Sequence, residues 1–371
     1  MSASETLRQP AGQSPSSPAS PELGWMQRAI ANCYFRFRLP ALMRPVRDHY
    51  QLAVSRGGKW PGLSLEKRTA PSARILYYHR VNDDDDPFFP AIRASLFEAE
   101  MRFVSKHYRV VSLTELIERL AEGSVEPVLA ITFDDGYRDN YDVAFPILQR
   151  YGLPATIFLT TGSMDSREPL WFEQIALAFK KTTRQSVDLD IDPGSAFSMR
   201  TTAERLQCID RAFAIFRGLP DAERRQSVAR TLEQLGARDE GERDDKMLAW
   251  DQVRFMKERG IDFGGHTVTH PFLSRMSGDR VAWEAGECKR RIEEEMQSPA
   301  LHFAYPNGRD EDFGHWNKDL IRRAGYRTAV TTIWGVNNQS TDPMELRRGG
   351  PWETSPAAFA YKLDWYQLVN G

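Results

Sequence analysis

Four residues of the sequence have the types and the spacing for metal chemistry. Asp134 and Asp135 end an apolar run that begins at Val128, and His266 and His270 lie four residues apart behind two glycines. Two adjacent carboxylates packed away from water repel each other and lose hydration, unless a cation or a shared proton compensates. A divalent metal ion is the simplest compensation, because two histidines and one carboxylate leave coordination positions open for water and substrate.

The positions of these residues predict that they meet at one edge of a sheet. The run 128–133 has the composition of a buried strand, and Asp134 and Asp135 follow its end. His266 follows a second predicted strand in the same way, and in a parallel barrel the functional groups lie where strands end. Neighbouring residues on a strand point to opposite faces, so one carboxylate can bind metal while the other stays free as a base.

The flanking residues favour a loop around the histidines. Gly264 and Gly265 allow a close backbone approach to the site. Pro271 disfavours an α conformation at His270, so we expect this histidine on a turn. A third stretch, residues 303–308 (Phe-Ala-Tyr-Pro-Asn-Gly), is predicted to be a strand that runs into a turn, whose backbone N–H groups could face a developing oxyanion.

Strand and helix patterns alternate along most of the chain. Helix starts are predicted by the Ser-x-x-Glu pattern at Ser95 and at Ser112, by Thr201 with Glu204, and by Asp221 as an N-cap. A helix is expected over about residues 141–151. Strands are predicted at residues 73–81, 128–133, 155–159, up to 265, 301–305, 328–332 and 346–348.

These elements predict an α/β protein with a distorted or incomplete (β/α)7 barrel. Residues 173–246 interrupt the alternation with highly charged helical segments, which we interpret as an inserted helical subdomain, either a lid or substrate wall or an elaboration of the scaffold. The chain shows no sign of a second core. The predicted organisation is a disordered tail (1–23), a basic amphipathic extension (24–72), the barrel domain with its insertion (73–355) and a C-terminal segment (356–371).

The extension permits two interpretations. Aromatic and aliphatic residues alternate with five arginines between residues 25 and 50. Such a segment can lie on an anionic membrane surface as a peripheral contact. It can also form a helix that packs on the domain with its arginines in solvent.

The composition gives no indication of a nucleic-acid-binding, disulfide-rich or membrane-spanning protein. The chain has 371 residues, 41% of them hydrophobic, and a formal charge of −2, which gives no reason to expect nucleic acid as a partner. Three widely separated cysteines fit a reduced compartment. Neither an export signal nor a membrane-spanning stretch is recognised, so we expect a cytoplasmic protein, with the inner membrane face as the surface for any peripheral contact.

The residues resemble the polysaccharide deacetylases of the NodB-homology class, carbohydrate esterase family 4, over roughly residues 73–350. Residues 132–136 (Thr-Phe-Asp-Asp-Gly), 266–270 (His-Thr-Val-Thr-His) and 303–308 resemble the three successive motifs of that family. Two further segments resemble those of family members that act on exopolysaccharide or lipopolysaccharide-type glycans. They are residues 77–81 (Tyr-Tyr-His-Arg-Val) and 154–158 (Pro-Ala-Thr-Ile-Phe).

The resemblance implies metal-dependent removal of an N-acetyl group from a polymeric or lipid-linked carbohydrate. It implies that Asp135, His266 and His270 hold one divalent ion, usually Zn2+, with Co2+ or Ni2+ as alternatives. By the same similarity Asp134 is the base that activates water, and the backbone N–H of Tyr305 polarises the carbonyl oxygen. When bound, such an ion lowers the pKa of water toward about 7 and stabilises the tetrahedral oxyanion.

Two departures from the family pattern leave roles open. Ala304 stands where the family often has an arginine that orients the catalytic aspartate; Arg348 either takes that role or is a surface arginine. No histidine follows His315, so the family's late catalytic acid is missing. His79 is the candidate replacement, and the alternative is a hydrogen-bonded structural histidine.

Two other functions stay open at this point. The same site could serve a deformylase or another amidase of the superfamily. A catalytically inactive glycan-binding protein is the alternative from a different class, although the complete set of Asp134, Asp135, His266 and His270 argues against it.

Overall fold

The computed structural model describes residues 73–123, 126–237, 246–350, 355–360 and 362–363. The predicted tail (1–23) and the basic extension (24–72), with its membrane contact, therefore lie outside the described residues. Residues 73–350 belong to one compact unit, and residues 355–360 belong to a second. In the second unit, residues 356–360 are helical.

The described residues contain nine strands, most of them short and buried. They are β1 (Ala73–Tyr78), β2 (Arg109–Val110), β3 (Val128–Phe133), β4 (Ala155–Leu159), β5 (Ser186–Val187), β6 (Phe197–Ser198), β7 (Ile261–Gly265), β8 (His302–Ala304) and β9 (Thr328–Val330).

Seven of these strands form one parallel sheet in the order β1-β3-β4-β7-β8-β9, with β2 paired to the start of β3. β1 and β3 pair over six residues, from Ala73 opposite Val128 to Tyr78 opposite Phe133. Because every pair in this sheet is parallel, the carboxyl ends of the strands share one edge.

The segment 346–349 joins the two ends of this sheet. Leu346 bridges to Val330 of β9, and Gly349 bridges to Leu76 of β1, both in parallel. The predicted last strand at 346–348 is therefore wrong as a regular strand, because the segment divides its hydrogen bonds between two neighbours. It nevertheless closes the sheet into a distorted barrel, which confirms the predicted fold class.

Helices alternate with the strands of the barrel. They are α1 (Ala94–His107), α2 (Leu113–Ala121), α3 (Phe145–Tyr151), α4 (Thr161–Ser166), α5 (Trp171–Lys181), α6 (Thr202–Gly218), α7 (Asp221–Gln234), α8 (Trp250–Lys257), α9 (Gly278–Met296) and α10 (His315–Arg323). In the part of the chain that is described, none of the helices has the length and the apolar character to cross a membrane.

The barrel interior is a small apolar core beneath the sheet edge. Strand residues such as Ile75, Ala130, Phe158 and Val330 pack there with the apolar face of α2. That face consists of Leu113, Leu116 and Leu120. The same cluster contains Ala73 and Val128, the first residues of β1 and β3, so α2 packs near the amino ends of these two strands.

The insertion between β4 and β7 begins with α5 at Trp171, two residues before the predicted start, and it has its own hydrophobic cluster, contrary to the prediction of no second core. Phe179 of α5, Phe197 of β6 and Phe216 of α6 are fully buried within it. The short antiparallel hairpin β5-β6 completes the segment. The insertion is therefore mostly helical, as predicted, but it packs as a small layer of its own.

The helix starts show which capping patterns the structure uses. Ser112 accepts from the Glu115 N–H at 3.1 Å, so the predicted cap of α2 is confirmed. The Ser95 pattern is wrong, because α1 begins at Ala94 and its first N–H donates to Asp83 at 3.0 Å. A side chain from the preceding acidic loop thus replaces the local cap.

Two further boundaries differ from the sequence predictions. Thr201 and Glu204 form the expected capping box, but Asp221 is the first residue of α7 and not its N-cap. The helix predicted over 141–151 consists of a π-helical turn, Asn140–Ala144, followed by α3. The π-helical turn matters for the site, because it directs Asn140 towards the end of β1.

Replacing Ser112 by alanine should lower the free energy of unfolding by about 1 kcal/mol, since the Glu115 N–H loses its acceptor. The matched control is Ser95→Ala, which removes an exposed hydroxyl that caps no helix and should change stability by less than about 0.5 kcal/mol. Urea unfolding of both variants measures the difference. Equal losses would contradict the assignment of the caps.

Candidate metal centre

The predicted site residues follow strands that end at the same sheet edge. Asp134 and Asp135 follow β3, and His266 follows β7. His270 lies four residues later on a loop, outside any helix, with a left-handed φ of 54°. The fold thus brings together residues that are more than 130 positions apart in the sequence.

Asp135, His266 and His270 form a buried group that could hold a metal ion. The Asp135 Oδ1 atom lies 3.4 Å from His266 Nε2 and 3.4 Å from His270 Nε2. That oxygen is buried and has no hydrogen-bond partner. A buried carboxylate oxygen without a partner is costly, and a cation held between it and the two imidazoles would remove that cost. The residues therefore fit a divalent ion.

The protonation of the histidines agrees with this arrangement. His266 Nδ1 lies 2.7 Å from the Ala304 carbonyl oxygen. A carbonyl only accepts, so Nδ1 carries a proton, and Nε2 is the ring nitrogen that faces Asp135 and can bind a metal ion. Burial lowers the pKa of His270 to about 4, which keeps that imidazole neutral at neutral pH. Burial would raise the pKa of Asp135, but the nearby histidines hold it below its ordinary value.

Asp134 has a different partner from Asp135, because it forms an ion pair with Arg348. Arg348 donates from Nη1 and Nη2 to the two carboxylate oxygens at 2.7 Å each, and both side chains are buried. Burial would raise the pKa of Asp134, but the guanidinium outweighs it and lowers the pKa. Asp134 is therefore ionised at neutral pH. The alternative that Arg348 is a surface arginine is excluded, because its side chain is fully buried.

Further contacts fix the guanidinium of Arg348 in one orientation. Its Nε donates to the Thr331 carbonyl at 2.7 Å, and Nη1 also donates to the Thr132 hydroxyl at 3.1 Å. The ring of Tyr77 lies under the guanidinium, 4.7 Å from its central carbon. The bidentate pair consequently holds the Asp134 carboxylate in a fixed plane.

His79 lies on the open side of Asp134. Its Nε2 is 4.0 Å from Asp134 Oδ2, and its side chain is 35% exposed, so solvent and substrate can reach it. Asn140, from the π-helical turn, donates to the His79 carbonyl at 2.8 Å and holds the end of β1. Local π-helical turns of this kind often occur at functional sites. The sequence gives no signal for Asn140, because the contact spans 61 residues.

The structure corrects the role predicted for Tyr305. Its backbone N–H donates to the Val330 carbonyl at 3.1 Å and continues the pairing of β8 with β9, so it cannot polarise a substrate carbonyl. Pro306 has no N–H. The next residue, Asn307, has a φ of 61°, and no acceptor is found for its backbone N–H within the described residues. Asn307 is therefore the first amide of this turn that a substrate oxygen can use.

The loop that carries the histidines is held in a strained conformation. Thr267 has a φ of 70°, which is unusual for a β-branched residue. Its carbonyl accepts from the Thr161 N–H at 3.2 Å, and the Val268 carbonyl accepts from the Gly162 N–H at 3.0 Å. A Cβ on Gly162 would lie 2.5 Å from the Val268 oxygen, so only glycine permits this approach.

Gly264 and Gly265 were predicted to allow a close backbone approach to the site, but they allow a close approach to neighbouring strands and side chains instead. A Cβ on Gly265 would overlap the Tyr326 hydroxyl, and one on Gly264 would lie 2.5 Å from the His302 carbonyl oxygen. These glycines let β7 pack closely against its own neighbours. They position His266 indirectly, through the packing of β7.

The insertion contributes residues that the sequence did not identify as part of the site. Trp171 donates from Nε1 to the His270 carbonyl at 3.0 Å, and the Phe172 ring lies 5.1 Å from the His270 ring. Glu173 lies 3.5 Å from Arg80, and burial raises the pKa of Glu173 to about 7. The first turn of α5 is thus one wall of the centre.

Comparison with known proteins places these motifs in a family. The sequence profile described as polysaccharide deacetylase matches residues 122–329, which are 208 of the 371 residues. The matched segment contains Asp134, Asp135, His266 and His270, whereas His79 and Arg348 lie outside it.

Individual relatives share part of the chain. The Bacillus subtilis protein YxkH is 35% identical over 104 residues, 27% of this chain and 36% of that protein. The poly-β-1,6-N-acetyl-D-glucosamine N-deacetylase of Staphylococcus epidermidis is 30% identical over 125 residues, 30% of this chain and 42% of that protein. The chain thus covers less than half the length of either curated relative.

A solved structure shares the fold. The Streptococcus pyogenes deacetylase PplD, determined with acetate, superposes with a TM-score of 0.55 at 20% identity. The match covers 80% of this chain and 99% of that one. At this identity the likeness shows the fold, which agrees with the distorted barrel.

Replacing Arg348 by methionine should lower the free energy of unfolding by about 3–5 kcal/mol, because Asp134 is left buried without its countercharge. The matched control is Arg347→Met, which changes the exposed neighbour and should have little effect. Urea unfolding at neutral pH measures both.

The same pair of variants has an expected pH dependence. The pKa of Asp134 is lowered in the folded protein, so the contribution of the ion pair is complete above about pH 4 and is lost as the pH falls through the lowered pKa. The deficit of Arg348→Met should therefore shrink in acid. A deficit that is constant with pH would contradict the ion pair as its cause.

Proposed function

Because the chain belongs to the polysaccharide deacetylase family, whose members hydrolyse carbon–nitrogen bonds other than peptide bonds, we propose that it removes N-acetyl groups from an amino-sugar glycan with the help of one divalent metal ion. The observation that carries the proposal is the unpaired Asp135 Oδ1 between two histidine Nε2 atoms, next to an ionised Asp134. This arrangement supplies a metal site and a separate base within one buried group.

Asp135, His266 and His270 would hold the ion, and Zn2+ fits a set of one carboxylate and two imidazoles, with Co2+ or Ni2+ as alternatives. When bound, the ion would act as a Lewis acid on the amide carbonyl and lower the pKa of water. Burial of all three side chains favours this role, since little water competes for the site.

Asp134 is proposed as the general base that accepts a proton from the attacking water. Each of its oxygens accepts one hydrogen bond from Arg348 and retains a lone pair for a second partner. Because the guanidinium fixes the plane of the carboxylate, the remaining lone pairs keep a constant direction. Arg348 is in this view a positioning residue for the base.

His79 is proposed as the general acid that protonates the leaving amine nitrogen. It is the half-exposed titratable group beside Asp134, at 4.0 Å. An amine leaves only with a proton, so a group on the solvent side of the base is needed for the second half of the reaction. The backbone N–H of Asn307 is proposed as a donor to the carbonyl oxygen.

One relative supports the proposed substrate class. The Staphylococcus epidermidis relative is named for action on poly-β-1,6-N-acetyl-D-glucosamine, which supports a polymeric or lipid-linked N-acetylated amino sugar as the substrate here. A cytoplasmic location and a peripheral membrane contact through residues 25–50 belong to the same proposal and rest on sequence alone.

Acetate release from N-acetylglucosamine oligomers by the zinc-loaded protein tests the proposal. Asp134→Asn should keep its zinc and lose activity by about 10²–10⁴-fold, since the base is removed. His266→Ala should lose both zinc and activity. Zinc binding without acetate release in the wild type would contradict the acetyl substrate and direct the search to formylated sugars. Absence of zinc binding would contradict the metal-dependent hydrolase.

The role of His79 can be separated from that of the base by the leaving group. His79→Gln should lower kcat on the amide substrate by about 10²–10⁴-fold at unchanged zinc content. It should leave the hydrolysis of 4-nitrophenyl acetate nearly unchanged, because nitrophenolate departs without a proton. Equal losses on amide and ester would contradict His79 as the acid.

A further inference from the structure

A buried glutamate on α9 touches the loop between the two histidines. Glu284 is fully buried on a helix face that is otherwise apolar, with Val281, Ala285 and Cys288 as its neighbours. An ionised side chain in such a place requires compensation. Its partners show where that compensation comes from.

The Glu284 carboxylate binds three donors of one short loop segment. Oε2 accepts from the backbone N–H groups of Val268 at 2.8 Å and Thr269 at 2.9 Å. Oε1 accepts from the Thr269 hydroxyl at 2.7 Å. Arg280, one turn earlier on α9, lies 3.3 Å from Oε1 and offsets the charge. Val268 and Thr269 are two of the three residues between the two proposed metal ligands.

The loop is thus held from two sides. Glu284 holds its N–H groups, and the first turn of α4 holds the carbonyl oxygens of Thr267 and Val268. The left-handed φ angles of Thr267 and His270 are unfavourable in a free chain and persist only where the surroundings impose them. The result is that both Nε2 atoms lie 3.4 Å from Asp135 Oδ1.

We propose that Glu284 is a positioning residue of the metal centre: it fixes Val268 and Thr269 and thereby sets the affinity of the centre for a divalent ion. The inference rests on the metal-dependent function proposed above. Groups that hold ligands in place from outside the coordination sphere typically change metal affinity by about 10–100-fold when they are removed. A glutamate that only satisfied buried amides would affect stability and leave the affinity of the folded protein unchanged.

The test compares variants of the full chain for zinc affinity, measured by competition with a chromophoric chelator. Glu284→Met removes the acceptors at similar size and should bind zinc about 10–100-fold more weakly. Glu284→Gln keeps an oxygen that can accept from both amides and should retain more affinity than the methionine variant. The control, Glu287→Met, changes a partly exposed residue of the same helix that pairs with Arg290 and should bind zinc like the wild type.

Two further readouts separate positioning from stability. The unfolding temperature of the chelator-treated variants measures the structural contribution by itself. The visible absorption of the Co2+-loaded proteins reports the coordination geometry and should change in Glu284→Met. If Glu284→Met does not fold, Thr269→Val, which removes one of the three contacts, should show a smaller loss of zinc affinity.

Wild-type zinc affinity and an unchanged Co2+ spectrum in Glu284→Met, or in Thr269→Val if only that variant folds, would overturn this inference alone. A glutamine variant no better than the methionine variant would contradict the hydrogen-bonding basis. Absence of zinc binding in the wild type would overturn the proposed function and this inference together.

Discussion

Two adjacent carboxylates, both buried, are the constraint on which the rest of the site depends. Asp134 and Asp135 would repel each other if they shared one environment. The fold gives each its own: a guanidinium for Asp134 and two imidazoles for Asp135. Arg348 lies on the segment that is bonded to both edges of the sheet, so closing the barrel and neutralising Asp134 are achieved by the same residues.

The loops that present these groups contain strained backbone conformations, which are stabilised by packing against neighbouring elements. Four of the seven non-glycine residues with positive φ among the described residues are Asp135, Thr267, His270 and Asn307. Such conformations cost free energy and occur where the surroundings determine them. Here the supports come from α4, from α9 and from the insertion, whose Trp171 binds the His270 carbonyl. The insertion is therefore part of the centre as well as a layer of its own.

Local patterns in the sequence predicted the strand ends and their chemistry, because burial and alternation are short-range signals. They could not place Arg348 or Asn140, whose partners lie 214 and 61 residues away. The oxyanion role predicted for Tyr305 was wrong, because the pairing of β8 with β9 extends one residue beyond β8 and uses the Tyr305 N–H. The helix cap predicted at Ser95 was wrong, because Asp83 accepts from the first N–H of α1 and lies on another loop. Glu284 did have a signal in the sequence, because it is an acidic residue within the apolar stripe of α9.

Asp135 is proposed to hold the ion and Asp134 to act as the base, and a crystal structure of the zinc-loaded protein with anomalous data at the zinc edge distinguishes these two roles. We predict one anomalous peak, with Asp135, His266 and His270 as ligands at about 2.0–2.2 Å and with Asp134 still paired to Arg348 outside the coordination sphere. A peak ligated by Asp134, or the absence of a peak at this site in a protein that binds zinc, would contradict this assignment.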